Sequence, residues 1–171
     1  MAVAVLGGPT AAAIVPLLGT FELREFRREV PWWGVLYNHT FVVLPAVLAG
    51  VVLKSFGTEI SSPEMLVAVF VAGTLFFLVT ESLTAVAVAV RDDRPFLAVL
   101  EGDVRSYGLT MVGLTPIAWL MALAYVFIGP LVAFVFALPL YTTRAAIKAV
   151  VAIRNMFPQP VRALASAIDA R

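Results

Sequence analysis

An all-α bundle of about five transmembrane helices, with a cytoplasmic helical arm at its C-terminus, is the fold this sequence predicts. Three observations predict it. The first is composition: of 171 residues 61% are hydrophobic and 13% charged, with a mean hydropathy of +0.98. A soluble domain carries about 25% charged residues, so this chain lacks the polar surface that water requires. The second is that the apolar residues fall in runs of about 20, the length a helix needs to cross a hydrocarbon core about 30 Å thick. The third is that lysine and arginine collect between alternate runs, as the positive-inside rule demands.

The spans follow in order. Ala2–Thr20 is free of charge and is interrupted by Gly7, Gly8, Pro9 and Pro16. Val35–Leu53 is the second span, with Pro45 inside it. Met65–Val90 is the third and carries Glu81 as its one charge. Leu109–Ile128 is the fourth, with Pro116 in its first half. Gly129-Pro130 then punctuates the chain, and a fifth helix is expected from about Leu131 to Met156. Half of that helix would lie in the membrane and half would emerge, with Arg144 snorkelling to the headgroups. The domain organisation expected is a membrane region over 1–140, a juxtamembrane helix and linker over 141–160, and the start of a further cytoplasmic domain over 161–171.

Orientation rests on the basic residues. Arg24, Arg27 and Arg28, then Arg91, Arg94 and Arg105, then Arg144, Lys148, Arg154, Arg162 and Arg171 fall on one side; Lys54 alone falls on the other. The N-terminus is therefore expected outside and the C-terminus in the cytoplasm, which an odd number of spans also requires. The opening Met1-Ala2-Val3-Ala4 lacks the positive charge that begins a signal peptide. A preceding span, absent here, is the expectation; an outward N-terminal start is the alternative.

Several function classes are excluded. With no cysteine there is no disulfide framework, no thiolate nucleophile and no cysteine-ligated metal, and a single histidine precludes a multi-histidine centre. No catalytic, cofactor-binding or metal-binding residue is assigned, and the chain by itself is not expected to be an enzyme. A formal net charge of +1 is too small to favour nucleic acid.

The candidate site is an intramembrane polar cluster: Asn38 and His39 at the head of the second span, with Thr80, Glu81, Ser82 and Thr84 in the third. Glu81 lies about 15 Å inside the helix end at ~1.5 Å per residue. An ionised carboxylate there costs roughly several kcal/mol, so it is expected to be neutral or paired. The two helices are antiparallel, which lets His39 and Glu81 approach in depth. Two readings remain open: a cluster that senses a proton or a ligand, and an interhelical clamp in which hydroxyls satisfy the acid.

Other features are structural in kind. Gly73, Gly108 and Gly113 permit close helix packing. Trp32 and Trp33 suit the aromatic belt at headgroup level. Pro95 and the residues from Phe96 to Arg105 fit a short amphipathic helix lying on the cytoplasmic surface, by default an interfacial element and alternatively a docking surface. Prolines 9, 16, 45, 116, 130 and 139 each remove a backbone donor, which membrane helices tolerate.

In the tail, Val161, Leu164, Ala165 and Ile168 share one helical face. A helix of eleven residues is marginal in water, so the segment needs a partner. Either the rest of its own domain or a second copy, in a homodimer through the arm, would supply one. The phrase Ala163-Leu-Ala-Ser-Ala-Ile-Asp-Ala-Arg171 resembles the first helix of HD-GYP domains, the cyclic-di-GMP phosphodiesterases of bacterial signalling. In that family the phrase runs into an Asp-Pro-Tyr-Thr-x-Gly-His stretch. Pro31-Trp-Trp-Gly-Val-Leu-Tyr-Asn38 and Leu138-Pro-Leu-Tyr-Thr-Thr-Arg144 are similar to the start of one span and the end of the last in the membrane regions of such proteins.

The resemblance implies a sensory and anchoring region of a bacterial signal-transduction protein, multi-pass in the inner membrane, whose full-length parent is a metal-dependent phosphohydrolase. The catalytic His-Asp pair and the Gly-Tyr-Pro motif are not in this chain. Its partners would be the lipid bilayer and the missing output domain. A substrate-capture subunit of a vitamin or metal transporter is the alternative, suggested by Leu6-Gly-Gly-Pro-Thr-Ala11.

Overall fold

Residues 1–57, 59–139, 141–142 and 145–146 are described by the structure, a computed structural model. Helices are the only regular elements among them: α1 (Ala2–Gly19), α2 (Leu23–Phe26), α3 (Trp32–Ser55), α4 (Pro63–Asp92) and α5 (Phe96–Ile128). The chain divides into two units, Met1–Phe127 and Ile128–Arg171. In the first, four helices are long and apolar enough to cross a membrane: α1, α3, α4 and α5. The all-α transmembrane bundle is the observed fold. In the second unit, Gly129 takes a left-handed φ of 81° and residues 132–139 are helical. Apart from 141–142 and 145–146, the rest of the expected fifth span and arm, and the terminal helix at 161–171, lie outside the described residues.

Within the first unit α1 packs on α3 and α3 on α4. Lipid tails are as apolar as leucine, so helices in a membrane gain little by merely meeting. They associate where small residues let backbones come close. The buried core reflects this, since Ala4, Ala12, Ala46, Ala49, Ala68, Ala72 and Ala122 make up most of it.

The break in α1 is at Gly8, whose φ of 63° and ψ of −159° interrupt the helical backbone. Only glycine adopts that conformation at little cost. Pro9 then begins the second segment of α1, where its missing N–H is no loss. Gly50 of α3 lies against this break: a Cβ there would stand 2.7 Å from Pro9 Cα and 2.9 Å from Pro9 N. The α1–α3 contact is therefore backbone against backbone. A second close approach joins α4 to α5, where the Gly73 backbone meets the Thr115 side chain and a Cβ would collide with it.

Two helix starts differ by more than two residues from the sequence expectation. Helix α3 begins at Trp32, three residues before the expected start, and so carries Trp32 and Trp33 in its first turn, 77% and 64% exposed. More consequentially, Phe96–Arg105 is no separate surface helix: it is continuous with the fourth span as the 33-residue α5. Gly102 and Gly108 each weaken a helix by about 1 kcal/mol relative to alanine, which is too little to end one. The only proline in α5, Pro116, lies further on. At ~1.5 Å per residue α5 is about 50 Å long, more than the hydrocarbon thickness. The turn Asp93–Pro95 joins it to α4, with Asp93 in the left-handed region as the α4 cap (φ 50°, ψ 43°). At the opposite end of the bundle, Trp119 Nε1 donates to the Ile60 carbonyl at 2.8 Å, tying α5 to the α3–α4 loop.

These contacts carry three expectations. Gly50→Val should destabilise the bundle by about 1–3 kcal/mol through overpacking against Pro9, and Gly8→Ala by a similar amount through strain. Gly19→Ala, where a Cβ meets nothing within 4 Å, should be neutral or stabilising by up to about 1 kcal/mol. Reversible unfolding in mixed detergent micelles measures all three.

Candidate functional site

At the end of the bundle where α1 finishes and α3 begins, the chain folds back on itself. After Gly19 it leaves α1 through Thr20, makes the single turn of α2, passes Arg28 in a left-handed conformation (φ 55°) and re-enters at Pro31. This reversal delivers two side chains to His39, in the second turn of α3. Thr20 Oγ1 lies 2.9 Å from His39 Nδ1, and Glu25 Oε2 lies 3.1 Å from His39 Nε2. The Phe21 ring covers the imidazole at a centroid distance of 4.7 Å.

The histidine and glutamate side chains are 12% and 6% exposed. Burial of a carboxylate is costly unless its oxygens are satisfied. Only one is: among the described residues Glu25 Oε1 is buried without a hydrogen-bond partner. The Thr20 hydroxyl also reaches back to the Pro16 carbonyl at 2.9 Å and the Leu17 carbonyl at 3.2 Å, at the C-terminal turn of α1. One hydroxyl thus stands between a helix end and an imidazole.

The residues singled out from the sequence do not form one cluster. His39 bonds to Thr20 and Glu25, and among the described residues no hydrogen bond links it to Glu81. Thr80 donates to the Phe76 carbonyl at 2.8 Å and Thr84 to the Thr80 carbonyl at 3.1 Å, so both hydroxyls turn back into α4. Asn38 and Thr84 line an open groove of about 570 Å³ between the ends of α1, α3 and α4. Tyr37 also lines that groove and donates to the Leu83 carbonyl at 2.9 Å. Glu81 and Ser82 are half-buried on α4, and Glu81 lies within electrostatic reach of Asp103 on α5. No group of three or more metal-ligating side chains occurs among the described residues.

Sequence reasoning missed Thr20 and Glu25. Glu25 sits among Arg24, Arg27, Arg28 and Glu29 and reads as part of a charged loop. The signal available was weak: a carboxylate fourteen residues before the only histidine, in a loop short enough to return to it.

No curated protein and no solved structure matches the chain. The family model MASE9, which describes a membrane-associated sensor family, matches residues 1–157. That span contains all five helices and the whole Thr20–His39–Glu25 site. The chain belongs to the MASE9 family of membrane-associated sensor domains.

Proposed function

We propose that this chain is the input region of a bacterial signal-transduction protein whose output domain is a cyclic-di-GMP phosphodiesterase of the HD-GYP type. Family membership over residues 1–157 is the observation that carries the sensory part. The identity of the output rests on the resemblance of Ala163–Arg171, which lies beyond the matched span, to the first helix of that enzyme family. The chain itself contributes no catalytic group to the reaction. Its role is to hold the parent in the inner membrane and to convert a change among its helices into a movement of the segment leading to the output domain. Pairing of two copies through that segment would give the output domain a symmetric partner.

Charge placement supports a cytoplasmic arginine end, to which the expected fifth span would return the C-terminus. Arg24, Arg27, Arg28, Arg91, Arg94 and Arg105 all belong to the end where α1 and α4 finish and α3 and α5 begin, whereas Lys54 belongs to the opposite end. By the positive-inside rule the arginine end faces the cytoplasm.

Two measurements test the reading. The coding sequence directly after Arg171 is expected to continue through Asp-Pro-Tyr-Thr-x-Gly-His; a stop codon followed by an ATPase gene would favour the transporter alternative. In membranes carrying the full-length parent, removal of residues 1–157 should leave cyclic-di-GMP hydrolysis measurable but unresponsive to membrane conditions. Unaltered regulation after the removal would show that this region is an anchor without sensory input.

A further inference from the structure

We infer that His39 is a proton-binding site whose occupancy latches the C-terminal turn of α1, so that the sensory input accepted by this region includes protons. The inference deepens the sensory reading and rests on it. Its basis is hydrogen-bond accounting at a single hydroxyl. Thr20 has one hydroxyl hydrogen and three acceptors in reach: the Pro16 carbonyl at 2.9 Å, the Leu17 carbonyl at 3.2 Å and His39 Nδ1 at 2.9 Å. Only one of them receives it at a time.

Two arrangements satisfy the site. With neutral His39, Nε2–H donates to the Glu25 Oε2 carboxylate oxygen and the bare Nδ1 accepts the Thr20 hydroxyl hydrogen. Pro16 then keeps only the Thr20 backbone N–H, at 3.0 Å. When a proton from water binds Nδ1, the direction reverses. Nδ1–H donates to Thr20 Oγ1, and the hydroxyl hydrogen swings to the Pro16 or Leu17 carbonyl. One proton is gained, none is lost, and the last turn of α1 acquires a side-chain cap. A cap of this kind matters more in a membrane, where water does not replace a missing partner.

The surroundings suit a switch. Histidine ordinarily changes charge between about pH 5 and 8. Glu25 faces the added charge directly at 3.1 Å. Of the elements packed against His39, α1 carries no titratable side chain; the α2 segment carries Glu22, Arg24, Glu25, Arg27, Arg28 and Glu29; α3 itself adds Tyr37 and Lys54; and α4 carries Glu64, Glu81, Arg91 and Asp92.

The chain offers a clean test because it has one histidine and no cysteine. In imidazole-¹⁵N-labelled protein purified without a histidine tag and reconstituted in phosphatidylethanolamine–phosphatidylglycerol vesicles, Nδ1 should pass from the bare to the protonated resonance as pH falls from 8 to 5. A spin label at Leu18→Cys, exposed at the end of α1, should become less mobile over the same interval. Thr20→Val and Glu25→Gln should each alter the Nδ1 transition, since each removes one of the ring's two hydrogen-bond partners. Thr20→Val should also abolish the pH response of the label.

A single Nδ1 state across the whole range overturns the proposal. So does a transition that both variants leave in place, or a label spectrum that ignores pH while Nδ1 titrates. None of these readouts uses the output domain, so they are decided separately from the sensory reading, which the hydrolysis assay decides.

Discussion

The approach of α1 to α3 at Gly8, Pro9 and Gly50 is the contact on which the described architecture depends. In lipid the hydrophobic effect does not draw helices together, and burial of alanine methyls gains little against lipid tails. What holds α1 is close backbone packing, possible only where Gly50 lacks a side chain and Gly8 turns the chain out of the helical path. With the first segment of α1 set by that contact, the second runs from Pro9 to Gly19 along α3. It delivers Thr20 to the head of the same helix it touches lower down.

That geometry explains why a buried polar site sits at the arginine end of the bundle. The last carbonyls of α1 have no intrahelical donors and need partners from outside the helix. Thr20 supplies them from its backbone and its hydroxyl, and the same hydroxyl is shared with His39. Glu25 orients the opposite edge of the ring. The cluster is a local solution to the capping of one helix end, and it also makes that end responsive to the state of an imidazole. Glu81, by contrast, has no comparable partner among the described residues and packs into no shared network with His39.

The spans were legible in the sequence because hydropathy and length constrain a membrane helix directly. Their ends were less so. The continuity of α5 through Phe96–Arg105 escaped the sequence reading because an amphipathic stretch looks alike whether it lies on a surface or extends a span. What decides is the absence of a residue able to stop the helix. The pairing of His39 escaped it for a different reason. Depth in the membrane suggested Glu81, whereas Glu25 reaches the ring through a chain reversal that includes a left-handed Arg28, a feature with no hydropathy signature.

Composition and charge pattern alone determined that this chain is a helical membrane bundle, where its apolar spans run and which ends share the arginines. Those properties follow from transfer free energies, which sum residue by residue. Only the tertiary structure decided that α1 breaks at Gly8 to meet Gly50, that Thr20 and Glu25 flank His39, and that the other polar residues go elsewhere. Those depend on which side chains come within about 3 Å of one another, and that is set by helix packing and by the course of a short loop.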